Sequence, residues 1–142
     1  MKKHFLLPGV AAVLLGGALL GAALHSNRAL GDEFSQADVD HWMAEYRLAA
    51  DEGRALWTSP TLGTNGVACA QCHPNAANTH YETYPKYQKQ LGRVATVREM
   101  INWCIQNPLE GEPLALDDRK MTAIEAYIAW ERRDVKLAPG KH

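Results

Sequence analysis

A five-residue run in the middle of the chain, Cys69-Ala70-Gln71-Cys72-His73, restricts the possible folds more than any other feature. Two thiols separated by two residues and followed directly by an imidazole are the pattern for covalent haem attachment, in which the thiols bond the vinyl groups and the histidine ligates the iron. The pattern predicts one covalently bound haem c, with its iron, as the cofactor. Cys69 and Cys72 are then the attachment residues and His73 is the first axial ligand. The chain must therefore fold around a large, flat and apolar group.

The same cysteines are open to other interpretations. They could form a disulfide with each other, or bind zinc together with Cys104 and a histidine such as His80. A redox-active cysteine pair of the thioredoxin type requires a strand–helix–strand context, which the sequence lacks. Haem attachment is favoured because the N-terminus predicts export, and covalent haem attachment takes place on that side of the membrane.

The N-terminus has the composition of an export signal. A short basic start, residues 1–4, precedes an uncharged apolar run over residues 5–24. This run is longer than the roughly 7–15 residues of a typical signal core, so both a signal peptide cut near Gly31 and a retained anchor remain open. We predict a signal peptide or N-terminal membrane anchor over residues 1–31 and one monohaem cytochrome c domain over residues 32–142. The expected location is the periplasm, with the domain either soluble or held to the membrane only through its N-terminal segment.

The charge of the predicted domain argues against one class of partner. Removing residues 1–31 leaves 12 basic and 16 acidic residues, a formal charge of −4. Nucleic acid is therefore not expected as a partner, because its phosphates require a basic surface. The remaining chain is long enough for one small domain with one core.

Hydrophobic spacing predicts an all-α fold with about three main helices around the haem. The first helix runs from Ser35 towards Trp57, with a candidate break at residues 51–53. The second begins at Thr96, in a capping box with Glu99, and ends at residues 107–108. The third begins at residue 117 or 118 and ends at residues 132–133. The apolar faces consist of Val39, Trp42, Met43 and Tyr46 in the first helix, Val97, Met100, Ile101, Cys104 and Ile105 in the second, and Met121, Ile124, Tyr127, Ile128 and Trp130 in the third.

The segment between His73 and Ala95 has little periodicity, and no strand pattern is present anywhere in the sequence. A long irregular loop is unusual in a compact domain unless it has a function. We therefore expect this segment to wrap around the haem.

The second axial position of the iron determines the chemistry of the site. The candidate ligands are Met100, Cys104, His80, Met121 and His142. Met100 and Cys104 lie four residues apart on one face of the predicted second helix, so either side chain could point at the haem. A methionine ligand raises the reduction potential, whereas a thiolate favours Fe(III) and lowers it. Cys104 is also the cysteine left over after haem attachment, and its other interpretations are a small buried residue or an intermolecular disulfide.

Beyond the haem motif, the chain resembles the catalytic haem domain shared by thiosulfate dehydrogenases and by the sulfur-oxidising diheme cytochrome subunit that joins thiosulfate to a carrier protein. The similar segments are Gly53-Arg54-Ala55-Leu56-Trp57, Leu62-Gly63-Thr64-Asn65-Gly66, Tyr84-Pro85-Lys86-Tyr87, Ile101-Asn102-Trp103-Cys104 and Leu114 to Trp130. The resemblance implies a cytochrome c-like fold in which the first and last helices cross, with Gly53 at the close approach and Tyr127 or Trp130 packed on it. It also implies that Cys104 is the distal haem ligand and takes part in sulfur chemistry. Those proteins usually have a second haem in the chain or in a partner, whereas this sequence has a single Cys-x-x-Cys-His motif.

The expected function is electron transfer outside the cytoplasm, linked to the oxidation of sulfur compounds, with His73 and Cys104 as axial ligands and Met100 as the alternative to Cys104. A second hypothesis is an enzyme or enzyme subunit that oxidises or conjugates thiosulfate with Cys104 as the catalytic residue, and a third is a haem-based sensor of small ligands. The expected partners are a redox protein, such as another cytochrome, and thiosulfate or a related sulfur anion. Four basic residues are candidates for holding such an anion near the haem edge: Lys86, Lys89, Arg93 and Arg98.

Overall fold

The computed structural model describes residues 34–141, and over this range the chain is mainly helical. The elements in chain order are α1 (Gln36–Thr58), α2 (Cys69–Cys72), β1 (Lys86–Gln88), β2 (Arg93–Ala95), α3 (Val97–Gln106) and α4 (Arg119–Glu131). The predicted all-α class is confirmed. No helix within residues 34–141 has both the length and the apolar composition needed to cross a bilayer. The predicted leader over residues 1–31, its boundary and the candidate ligand His142 lie outside the described residues.

The predicted helix starts are confirmed by their caps. At α3, the Thr96 backbone N–H donates to the Glu99 carboxylate at 2.7 Å, and the Thr96 hydroxyl accepts from the Glu99 backbone N–H at 3.4 Å. The hydrogen bond from the Thr96 backbone, together with Arg93, lowers the pKa of Glu99 to about 2. At α4, the Asp118 carboxylate accepts from the Lys120 backbone N–H at 2.7 Å. Both helices begin where local side-chain chemistry satisfies their free backbone N–H groups.

The break predicted at residues 51–53 was wrong, because α1 continues without interruption to Thr58. Gly53 is a buried position inside the helix, where α1 crosses α4. A Cβ atom at Gly53 would lie 1.9 Å from the Ala123 carbonyl oxygen and 2.8 Å from the Tyr127 Cβ atom. The glycine therefore permits the close helix crossing that the resemblance implied, and Tyr127 is the aromatic residue packed on it.

The first half of α1 differs from the second half in its burial. Val39, Trp42, Met43 and Tyr46 have the spacing of an apolar helix face, but each is between 38% and 50% exposed. The face of α1 that enters the core is formed further along, by Ala50, Gly53 and Trp57. The spacing correctly predicted a helix, although the stripe that it identified is not buried.

The core lies where the second half of α1 meets α3 and α4. Its buried side chains are Trp57, Ala76, Val97, Ile101, Ile105, Met121, Ile124, Tyr127 and Ile128. The α3 and α4 members are spaced three or four residues apart, as expected for two helices that each bury one face. This cluster is the hydrophobic core of the domain, and the cavity described below lies beside it.

The segment between His73 and Ala95 is more ordered than predicted. It contains two 3₁₀ turns, Pro74–Ala76 and Tyr81–Thr83, and the antiparallel pair β1–β2 in the register Lys86↔Ala95 and Gln88↔Arg93. No strand pattern is visible in the sequence because strands of three residues are too short to leave a period-two signature.

The chain after α4 returns to this segment and holds it in place. The backbone N–H groups of Ala138 and Gly140 donate to the carbonyl oxygens of Glu82 and Thr83, both at 2.8 Å. Arg132 lies 3.3 Å from the buried carboxylate of Glu82. Backbone and ionic contacts therefore dock the segment against the C-terminal end of α4.

Candidate haem site

A cavity of about 430 Å³ is lined by residues from most parts of the fold. Cys69, Cys72 and His73 form one part of its lining, called here the α2 wall, together with Trp57 of α1. Met100, Trp103 and Cys104 form another part, the α3 wall. The cavity thus brings the haem motif together with Met100 and Cys104, candidate sixth ligands that follow the motif by about thirty residues in sequence.

The α2 wall is built by a single helical turn. The His73 backbone N–H donates to the Cys69 carbonyl oxygen at 2.9 Å, and Pro74 prevents the helix from continuing. The Gln71 side chain accepts a hydrogen bond from the Ala68 backbone N–H at 3.0 Å, which caps the start of the turn. Since residues three apart share a helix face, the turn presents Cys69 and Cys72 together.

The orientation of the His73 ring is set by a backbone contact. Its Nδ1 atom lies 2.9 Å from the Ala77 carbonyl oxygen. A carbonyl oxygen only accepts, so Nδ1 carries the proton and Nε2 keeps its lone pair. The Trp57 indole N–H in turn donates to the His73 carbonyl oxygen at 2.9 Å. This arrangement leaves Nε2 as the metal-binding atom and supports the ring from behind, as is usual for metal-ligating histidines.

Left-handed backbone conformations bring the Ala77 carbonyl to His73. Asn75, Ala76, Asn78 and His80 all have φ between 50° and 58°. Asparagine and histidine tolerate this region better than most residues, whereas alanine does not, and Ala76 is fully buried. Sequence reasoning missed the roles of Trp57 and Ala77. The two asparagines after the motif were the available signal for a tight reversal.

The predicted apolar face of α3 contributes side chains to both the core and the cavity. Val97, Ile101 and Ile105 are buried in the core, and the first two of them also line the cavity beside the partly exposed Met100 and Cys104. Burial, and secondarily the nearby Cys72, raise the pKa of the Cys104 thiol to about 11. The Cys69 thiol is raised to a pKa of about 11 in the same way, with Cys104 as the secondary cause. Each of these two thiols thus has a thiol of the other wall among the causes of its raised pKa.

The remaining candidate ligands are less favourably placed. Met121 is fully buried in the core and does not line the cavity. His80 does line it, but its side chain is 58% exposed and its Nδ1 atom lies 3.5 Å from the Glu82 carboxylate. Of the candidate sixth ligands within residues 34–141, Met100 and Cys104 are those that line the cavity from a core helix.

The disulfide and zinc interpretations find no support in the described part of the chain. Cys69, Cys72 and Cys104 are all free thiols. Within residues 34–141, no three His, Cys, Asp or Glu side chains are grouped as a metal ion would need. A structural zinc site requires four such ligands in most proteins.

The four basic residues predicted near the haem edge do not all lie at the cavity. Arg93 is paired with Glu99 at 2.6 Å, and Arg98 is paired with Glu125 at 2.6 Å. Lys89 is exposed in the turn between β1 and β2. Of the four, Lys86 alone lines the cavity, and it is only 8% exposed. Burial lowers the pKa of Lys86, an effect that the carboxylate of Glu82 opposes.

The lining fits a covalently attached haem. Two thiols lie on one helical turn, a histidine presents Nε2, and a neighbouring helix contributes two sulfur-containing side chains to the lining. The rest of the lining is largely apolar and includes Val97, Ile101 and Leu109. An apolar enclosure of this kind is what an extended macrocycle requires.

Comparison with known proteins identifies one family. The family model described as "SoxA/TsdA, cytochrome c domain" matches residues 52–137. The L-cysteine S-thiosulfotransferase subunit SoxA of Rhodovulum sulfidophilum is 34% identical over 110 residues, which cover 75% of this chain and 38% of that protein. The thiosulfate dehydrogenase of Psychrobacter arcticus is 32% identical over 79 residues, which cover 50% of this chain and 24% of that enzyme. The chain therefore spans well under half the length of these relatives.

A solved structure shows the same fold. The crystal structure of SoxXA from P. pantotrophus superposes with a TM-score of 0.58 at 20% identity, over 66% of this chain and 36% of that chain. The cytochrome c-like architecture expected from the sequence is thus confirmed. The first half of α1 precedes the region that the family model matches.

Proposed function

Because the chain belongs to the SoxA/TsdA cytochrome c domain family, we propose that it is a monohaem electron-transfer protein that works outside the cytoplasm in the oxidation of sulfur compounds. Members of this family carry covalently bound haem c, and haem c is the cofactor of this chain. The two relatives described above are named for reactions of thiosulfate, which supports a sulfur compound as the source of electrons.

We assign the haem contacts to five residues. Cys69 and Cys72 form the thioether bonds, His73 ligates the iron through Nε2, and Cys104 is the sixth ligand, with Met100 as the alternative. The single observation that carries this assignment is the His73 ring, whose Nδ1–H is held 2.9 Å from the Ala77 carbonyl oxygen beside both thiols. Bound there, the haem supplies one centre for one-electron oxidation and reduction.

The surrounding residues have three tasks. The crossing of α1 and α4 fixes the position of Trp57, whose indole N–H supports the His73 backbone. The core side chains Ile101 and Ile128 line the cavity and exclude water from it. A Cys104 thiolate brings a negative charge to the iron, whereas the Met100 thioether is neutral, so ligation by Cys104 gives the lower potential.

A second candidate function is an enzyme, or a subunit of one, that oxidises or conjugates thiosulfate. The observation that favours it is the position of Cys104, which lines the haem cavity and is partly exposed, so that a small molecule can reach its sulfur. In this case Cys104 is the residue that contacts the substrate sulfur. The likeness to relatives that catalyse such reactions, and of which this chain spans less than half, supports both candidates.

Stopped-flow mixing distinguishes the two candidates. For an electron carrier, we expect the ferric protein to stay oxidised in millimolar thiosulfate and to be reduced within seconds by a second, reduced c-type cytochrome. For an enzyme, thiosulfate by itself reduces the haem, and the Cys104→Ala variant loses this reduction. Failure of both reactions in haem-loaded protein would contradict the proposed link to sulfur oxidation and electron transfer alike.

A further inference from the structure

The chain after α3 folds back along that helix. This part of the chain, residues 108–116, is called here the return segment, and it contains no helix or strand. Its Leu109 backbone N–H donates to the Cys104 carbonyl oxygen at 3.2 Å, near the C-terminal end of α3. Its Leu116 carbonyl oxygen accepts from the Arg98 guanidinium, in the first turn of the same helix. The return segment therefore follows α3 from its last turn back to its first.

Asn102 makes the central contact between α3 and the return segment. Its side-chain amide donates to the Leu114 carbonyl oxygen at 2.7 Å, and its side-chain oxygen accepts from the Leu114 backbone N–H at 2.9 Å. One side chain thus satisfies both backbone groups of one residue. Leu114 is partly buried and packs against the core. A displacement of α3 relative to the return segment would break both hydrogen bonds and leave partly buried polar groups without partners.

The return segment is also fixed to the loop that precedes the haem motif. A Cβ atom at Gly63 would lie 1.9 Å from the Leu109 carbonyl oxygen, so the two backbones are in direct contact. The Thr64 backbone N–H donates to the same oxygen at 3.1 Å, and the Asn65 side-chain amide donates to the Pro108 carbonyl oxygen at 2.9 Å. Pro108 and Leu109 both line the haem cavity. The return segment therefore joins the part of the chain that leads into the α2 wall to α3.

The side of α3 that carries Asn102 faces away from the side that carries Cys104. Residues two apart in an α-helix point about 200° apart around its axis. Cys104 lines the cavity and Asn102 does not, so Asn102 acts on the Cys104 side chain only through the helix. The backbone hydrogen bonds of α3 join the two positions into one stiff unit. A contact that prevents rotation at Asn102 therefore also fixes the direction of Cys104.

We propose that Asn102 is a positioning residue for Cys104. Through the return segment it fixes the rotation of α3 relative to the α2 wall, and so holds the Cys104 sulfur towards the iron that His73 ligates. The proposal rests on the proposed ligation by Cys104, and Asn102 itself contacts neither haem nor substrate. Removal of the Asn102 side chain weakens ligation by Cys104 and leaves the thioether attachment of the haem unchanged.

Competition by a small external ligand measures how firmly Cys104 is held. Imidazole binds the ferric iron only after Cys104 has left it, so its dissociation constant falls as ligation by Cys104 weakens. We expect Asn102→Ala to bind imidazole about 3- to 30-fold more tightly than the wild type, because two hydrogen bonds that hold the ligated arrangement are lost. Absorption titration of the ferric haem protein provides the measurement. Asn102→Asp keeps the acceptor for the Leu114 N–H and removes the donor, so it should shift the constant in the same direction and replaces the alanine variant if that variant does not load haem.

Two controls separate positioning from a general loss of structure. Asn107→Ala removes an exposed amide at the end of the same helix, which donates to the Trp103 carbonyl oxygen at 2.8 Å, and imidazole binding should stay within about twofold of the wild type. The second control repeats Asn102→Ala in the double variant Met100→Ala and Cys104→Ala, where neither sulfur is left to position. The affinity for imidazole should change there by less than about twofold. Haem content and thermal midpoint of each variant show whether it has folded.

Three results would overturn the proposal. The first is an unchanged imidazole dissociation constant in Asn102→Ala at full haem content. The second is an equal effect of Asn102→Ala in the protein that lacks both sulfur side chains, which would assign Asn102 to access to the cavity. The third is a wild type whose imidazole affinity is unchanged by Cys104→Ala, which would contradict the ligand assignment of the proposed function as well. Only this third result bears on the proposed function, so the two proposals can fail separately.

Discussion

The two walls of the haem cavity differ in how their chemistry is determined. On the α2 wall, consecutive residues supply both thiols and the imidazole, and a backbone carbonyl at 2.9 Å sets the His73 ring. On the α3 wall, two sulfur atoms one helical turn apart line the cavity, and within residues 34–141 no hydrogen bond to either sulfur selects one of them. The comparison shows that local sequence determines ligation on one wall, whereas the position of a helix face determines it on the other.

Removal of the attachment thiols has the largest expected effect and concerns the α2 wall only. The double variant Cys69→Ser and Cys72→Ser should contain no covalent haem after expression with a cytochrome maturation system, since no thiol of this wall remains to form a thioether bond. Mass spectrometry under denaturing conditions measures the result directly. Cys104→Ser serves as the matched control and should retain one haem. A covalent adduct in the double variant would show that the haem is attached elsewhere.

Replacement of the sulfur ligands tests the α3 wall, with a smaller effect because the haem stays attached. We expect Cys104→Ala to abolish the thiolate-type low-spin ferric signal and to raise the midpoint potential, because an anionic ligand is lost from the iron. Met100→Ala, four residues earlier on the same face, should leave both properties unchanged. Electron spin resonance and redox titration provide the two measurements. The reverse pattern, with a high potential lost only in Met100→Ala, would assign the site to methionine.

A substitution at the helix crossing tests how much the packing of α1 on α4 contributes to the stability of the domain that holds the α2 wall. A methyl group at Gly53 would lie 1.9 Å from the Ala123 carbonyl oxygen, so α1 and α4 must separate to accommodate it. We expect Gly53→Ala to lower the free energy of unfolding by about 2 kcal/mol, measured by guanidinium denaturation of the haem protein, despite the better helix propensity of alanine. Asp51→Ala, at an exposed position of the same helix, should change it by less than about 0.5 kcal/mol. Equal midpoints for the two variants would mean that the crossing tolerates a wider spacing.

Features that depend on a few adjacent residues were predictable from the sequence. The capping box of Thr96 and Glu99 and the run from Cys69 to His73 determine their own geometry through short-range contacts. Met100 and Cys104 were identified as sharing a face because helical periodicity relates residues four apart.

Features that depend on tertiary contacts were not predictable in the same way. Gly53 looked like a helix break, since nothing in the local sequence indicates that another helix crosses there. The contacts of His73 with Ala77 and Trp57 involve a backbone carbonyl and a distant indole, and the haem motif itself indicates neither of them. Lys86 was one of four similar basic residues until the fold buried it and left the others at the surface or in ion pairs.

The crossing of α1 and α4 has a consequence for the order of events during biogenesis. Glu52 and Arg119, which pair across it, are separated by 67 residues, and contacts of such long range form late in folding. The two cysteines of the haem motif lie between these helices in the sequence, so the crossing closes only after α4 has folded back onto α1. They are therefore accessible to the maturation enzymes while the domain is still open, and the finished crossing then encloses a group that is already bonded to the chain.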